Sequence, residues 1–151
     1  MKEHGVETAE SRVSSDVRDH GWHVVLVGAS GSAPEFAYTV GLTATFQHPE
    51  IAVLGLPSAK AQLLLNGVGA AIRQGTRFGA GDQSAELLIG YPVAFIAFPP
   101  GLVQQYLGFA WQFYGGGGFE ALQLVWPDGK GRFPWDPGVS DHTRFSQALT
   151  P

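Results

Sequence analysis

Two short stretches carry the side chains best suited to chemistry. In "FAYTVGLTATFQHPEIAVLGL", residues 36–56, His48 and Glu50 flank Pro49. Residues two apart on extended chain point the same way, so an imidazole and a carboxylate there could work as a base with its orienter. They could equally be two metal ligands, with His20 or His23 completing the set if the fold brings them near. No HExxH or comparable spacing supplies further ligands, so no metal site is assigned. The plainer alternative is a turn in which Glu50 holds neighbouring backbone N–H groups. Just upstream, Thr39 and Gly41 share the small side of a strand whose bulky side carries Tyr38. That small side is either packed against another element or open to a flat ligand.

The second stretch is "QLVWPDGKGRFPWD", residues 123–136. Trp126 and Trp135 bracket a turn containing Asp128, Lys130 and Arg132. Pro-Asp-Gly is turn chemistry: proline sets φ, aspartate bonds locally and glycine accepts positive φ. The indoles and Arg132 could line a pocket and bind a carboxylate or phosphate, or they could only lock the turn through a cation–aromatic contact. The expected site joins both stretches around one cavity. His48 and Glu50 are its acid–base candidates; Tyr38, Thr39, Gly41, Trp126, Asp128, Arg132 and Trp135 are its ligand-binding candidates. Gly115 to Gly118 follow a helix and precede a strand, the reverse of a phosphate loop, and read as a helix exit. No G-x-S-x-G elbow is present.

These residues need elements to position them. Glu7 to Asp19 reads as a polar helix closed by Gly21, with Val13 and Val17 on one face. Strands are expected from Trp22, over Glu35 to Leu42 and over Ile51 to Leu56. In the second of these, Phe36, Tyr38, Val40 and Leu42 share a face. Helical spacing follows from Pro57 to Gly75, with Leu64, Val68 and Ile72 as the buried stripe. Two strands, 85–89 and 91–98, are joined at Gly90. A second long helix spans 99–115 and a last strand 119–126, before a polar tail from residue 139. Clustered strands with helices at the margins predict an α+β fold: a curved, mainly antiparallel sheet or a split β-barrel with two packed helices and a short N-terminal helix.

The 151 residues fit a single domain large enough to need no covalent staple, and the chain has no cysteine. No signal-peptide pattern and no apolar run of membrane-spanning length is seen, so a cytoplasmic protein that does not enter a membrane is expected. The formal charge is −4 and the nine Lys and Arg are scattered, which argues against a nucleic-acid partner. Charged residues are only 15% of the chain, so part of the surface is expected to be covered, as in a homodimer.

The motifs "HGW" (20–22), "FAYTVGL" (36–42), "HPE" (48–50), "LLN" (64–66) and "QLVWPDGKGRFPWDPG" (123–138) together resemble a bacterial, largely actinobacterial, family of small proteins described as a domain of unknown function. The resemblance runs from about His20 to Gln147 and implies no particular activity. Residues 36–56 are also similar to the opening of flavin-reductase-like split barrels. That resemblance implies a flavin cofactor, with Thr39, Thr43 and Thr45 as the matching hydroxyls, although the serine-rich phosphate pattern is absent. Three function classes follow: a small-molecule-binding protein with acid–base chemistry, a flavin-binding oxidoreductase component, or a non-catalytic interaction or immunity protein.

Overall fold

The computed structural model describes residues 8–31, 33–88 and 90–149. The chain runs α1 (Ala9–His20), β1 (His23–Val27), β2 (Phe36–Val40), α2 (Leu42–Phe46), β3 (Glu50–Leu54), α3 (Ser58–Arg73), β4 (Gln83–Leu88) and β5 (Tyr91–Ala97). A 3₁₀ turn (Pro100–Leu102), α4 (Val103–Tyr106), α5 (Gly108–Phe113), β6 (Ala121–Val125) and α6 (Asp141–Phe145) complete it. The six strands form one open, uncurled sheet in the order β1-β2-β3-β6-β5-β4. Every neighbouring pair is antiparallel except the central one, β3 with β6, where Glu50 faces Ala121 and Val53 faces Leu124. The fold is therefore α+β with a mainly antiparallel sheet, as expected, but the sheet is open and uncurled rather than curved or closed into a split barrel.

Both central strands are buried along their whole length, because helices cover both faces of the sheet rather than only its margins. Alternation in the pleat sorts their side chains. Ile51, Val53, Leu122 and Leu124 meet Leu64, Leu65, Val68 and Ile72 of α3. Ala52 and Ala121 face the other way, with Val25, Tyr38 and Val40, onto Val13 of α1, Val103 of α4 and Ala110 of α5. On the α3 side, a Cβ at Gly69 would lie 2.4 Å from the Trp22 ring, so only glycine admits that indole.

Three elements depart from the periodicity. The strand expected to reach Leu42 ends at Val40. Gly41 adopts φ +116°, the chain turns into α2, and Leu42 joins Ala37 on the α3 face instead of Tyr38 on the other. A Cβ on Gly41 would lie 2.8 Å from Val17 and 2.9 Å from the Gly21 carbonyl, so the turn also tucks beneath the end of α1. The helix expected over 99–115 is broken at Leu107 (φ −109°, ψ 51°). The Phe109 N–H, released by that break, donates to the Tyr38 hydroxyl at 3.0 Å. Finally, the polar stretch after Val139 contains α6, whose first turn is capped by Ser140 Oγ accepting from the Thr143 N–H. The expected N-terminal helix begins at Ala9, since Thr8 caps it and Glu7 lies outside the described residues; Gly21 closes it in the left-handed conformation. Ile89, the last residue of the expected fourth strand, also lies outside them.

Candidate functional site

Glu50 opens β3 with no exposed surface. Its carboxylate accepts from Thr39 Oγ1 (2.7 Å), from the N–H groups of Gly41 (3.0 Å), Leu42 (3.2 Å) and Thr43 (3.2 Å), and from the Tyr114 hydroxyl. Three of these are the unsatisfied amides at the start of α2, so the acid caps that helix from the strand that follows it. Burial pushes the Glu50 carboxyl above its ordinary pKa, against the opposing pull of the Tyr114, Thr39 and backbone donors. Burial, followed by the neighbouring carboxylate, raises the Tyr114 hydroxyl as well.

His48 is equally enclosed, and its two ring nitrogens have separate backbone partners. Nε2 accepts from the Phe78 N–H at 2.9 Å, so Nδ1 carries the proton and donates to the Pro49 carbonyl at 2.8 Å. Burial is the main cause of a pKa below the ordinary imidazole value; the Pro49 bond opposes it and the Arg77 charge adds to it. Arg77 itself donates to the carbonyls of Phe46 and Gln47 at the end of α2. The polar atoms of His48 and Glu50 thus go to different partners. His48 ties the α2–β3 loop to residues 77–78, and Glu50 ties it to β2 and to α5.

The hydroxyls singled out for a cofactor are also engaged. Thr39 donates to Glu50 and accepts from the Ile51 N–H; Thr43 donates to the His48 carbonyl and Thr45 to that of Gly21. A cleft of about 500 Å³ adjoins this end of the sheet, bordered by Thr43, His48, Pro49, Gly118 and Phe119.

The tryptophan turn lies at the opposite end of the central strands. Asp128 Oδ1 accepts from the N–H groups of Lys130 and Arg132, and Oδ2 accepts from Arg132 Nε, each at 2.9 Å. Chiefly because of the backbone bond from Arg132, the Asp128 carboxyl titrates below the usual range. Trp126 is buried; its indole N–H donates to the Leu54 carbonyl at 2.8 Å. Its own amide and carbonyl are held by the Gln147 side chain at 2.9 and 2.8 Å. Trp135 is 54% exposed and stacks on Phe133.

Around this turn opens a cleft of about 980 Å³. One wall is the start of α3 (Lys60, Leu63, Leu64), and another is β4–β5 (Leu87, Leu88, Tyr91). The floor is Leu56 and Trp126, and the rim holds Asp128, Lys130, Arg132 and His142. It lies beyond the carboxyl ends of the parallel pair β3 and β6, where open sheets with parallel strands commonly hold ligands. Gly55 (φ +83°) lets the α6 segment close its back, since a Cβ there would meet the Ser146 carbonyl at 2.7 Å.

Of the expected site residues, Trp126, Asp128 and Arg132 come together at this cleft. Thr39, Gly41, His48 and Glu50 form a separate cluster, and Tyr38 faces the α4–α5 side. The single cavity joining both stretches is not formed, because β3 is extended and its two ends stand roughly 13 Å apart over four residue steps. Lys60, Leu63, Leu87, Tyr91 and His142 were not singled out from sequence. Leu63 carried a signal, being an exposed apolar side chain outside the buried stripe of α3. Among the described residues no group of three or more His, Asp or Glu is placed to hold a metal ion, and no helix is long and apolar enough to cross a membrane.

Neither the curated proteins nor the solved structures yielded a match. A family model, described as a domain of unknown function (DUF4262), matches residues 16–140, which include the Glu50 cluster and the tryptophan turn but stop before α6. The chain belongs to the DUF4262 family.

Proposed function

We propose that the protein binds a small organic molecule in the cleft between α3, the β4–β5 hairpin and the tryptophan turn, with Trp126, Asp128 and Arg132 in its wall. The observation that carries this reading is the cleft itself. At about 980 Å³ it has the size of known small-molecule sites, and it combines a leucine-lined interior with convergent charged groups. The turn bearing those groups is rigid: Asp128 takes three hydrogen bonds inside it, and Tyr91 donates to the Gly129 carbonyl across the cleft mouth. A preformed wall limits the ordering a ligand must impose. The reading is one of binding. His48 and Glu50, whose polar atoms already have partners, keep a structural role in it.

A ligand-observed fragment screen tests this, with the Trp126 indole N–H followed by ¹H–¹⁵N NMR. Hits are expected to shift that resonance and to vanish in Gly129→Trp, where the added indole enters open space at the rim. A screen whose hits ignore both Trp126 and the variant would reject the reading.

A further inference from the structure

The chemistry of the cleft lining narrows its ligand. Three cations border it: Lys60 on the first turn of α3, and Lys130 and Arg132 on the facing lip. Asp128 is the one carboxylate among the described lining residues, and it is occupied by Arg132 at 2.9 Å. Three positive charges against one carboxylate give the lysines, arginine and aspartate of the rim a formal +2, in a chain whose formal total is −4. The side chain of Arg132 is 37% exposed, and the Asp128 bond at Nε fixes the plane of its guanidinium. No side chain caps α3, so the amides of its first turn add to the same field.

Behind this rim the walls are hydrocarbon. Leu63 and Leu64 stand across from Leu87 and Leu88, over Leu56 and Trp126. Leu63 is 76% exposed, an apolar side chain left open beside a lysine one turn away. The polar groups nearest those walls are already engaged: the Trp126 N–H donates to the Leu54 carbonyl, the Tyr91 hydroxyl to the Gly129 carbonyl and the Ser140 hydroxyl to that of Thr143. Cations at the lip and unfunctionalised aliphatic walls complement an amphiphile of the opposite charge.

We infer that the cleft binds a hydrocarbon-bodied anion, its carboxylate or phosphate held by Lys60, Lys130 and Arg132 and its alkyl part lying between the leucines of α3 and β4. The inference rests on the cleft reading above and adds the ligand class.

The test titrates the full chain with octanoate, octyl phosphate, octan-1-ol and octylamine, and with inorganic phosphate alone, following the Trp126 indole N–H. At least one alkyl anion is expected to bind about tenfold or more tighter than the alcohol, and the amine weakest of the four. The stronger of octanoate and octyl phosphate identifies the head group. Lys60→Glu with Lys130→Glu should remove the anion's advantage and leave the alcohol's affinity in place. Added salt should weaken only the anions, a check that needs no variant. Equal affinities for alcohol and anions overturn the charge selectivity while leaving a binding cleft. Inorganic phosphate binding as tightly as the alkyl anions overturns the hydrocarbon part. If no alkyl compound shifts Trp126, the ligand class is wrong; the cleft reading then stands or falls separately on the fragment screen.

Discussion

At the residue scale, His48 shows how an imidazole can be conspicuous in sequence and serve as a peg. Its two nitrogens join the Pro49 carbonyl to the Phe78 amide, and it is nearly inaccessible to water. A buried imidazole with one donor and one acceptor already matched resists a second proton. Its folded pKa is therefore lowered from 6.5, and burial is the main cause. The sign follows directly. Below about pH 6.5 the unfolded chain takes up a proton that the folded one refuses, so this contribution to stability is intact above the unfolded pKa and declines as pH falls toward the folded one. Urea unfolding at about pH 7 and about pH 5 should show a loss of stability that is smaller in His48→Gln. A variant with the same pH dependence as the parent would show that His48 is not the responsible group.

At the element scale, α2 is a five-residue helix that could not persist alone, since isolated helices of that length are far below the nucleation threshold. Glu50 supplies what the helix lacks, meeting its first amides from β3, while Arg77 meets the carbonyls at its other end. Glu50→Gln keeps the shape but turns one acceptor into a donor facing other donors. The expected cost is about 2–3 kcal/mol by chemical denaturation, with chemical-shift changes confined to α2, β2 and Tyr114. Loss below about 0.5 kcal/mol would mean the carboxylate does not hold the helix. The same arrangement answers why an apolar stretch is interrupted by Thr39, Gly41 and Glu50: they build one internal cap.

At the scale of the whole molecule, the two polar clusters stand at opposite ends of the parallel pair, and the larger cleft is completed by residues remote in sequence. Gln147 is the clearest of these. It lies beyond the family match, yet its side chain holds both backbone groups of Trp126, and its carbonyl accepts from Gln123 at 2.8 Å. Gln147→Leu keeps the volume and removes the side-chain partner of the Trp126 amide and carbonyl and of the Thr143 carbonyl. The expected result is a stability loss of about 2 kcal/mol and a displaced Trp126 indole signal, with weaker binding of any compound that reports on that resonance. An unchanged signal would show that Gln147 does not position Trp126.

Much of the architecture was legible in residue order. The alternation of Phe36, Tyr38 and Val40, the stripe of Leu64, Val68 and Ile72, and the Pro-Asp-Gly turn each act over a few residues, where pattern and propensity decide the outcome. The α+β class and the family resemblance follow from such local signals. What residue order left open was set by contacts between distant segments. Val40 and Leu42 parted because Gly41 had to pass beneath α1, and the long helix broke at Leu107, where the next free amide meets Tyr38. The pairing of β3 with β6 placed the histidine loop at one end and the tryptophan turn at the other, and this could not be read from either stretch alone. Strand periodicity tells which face a side chain takes; only the sheet order tells which end of the molecule it occupies.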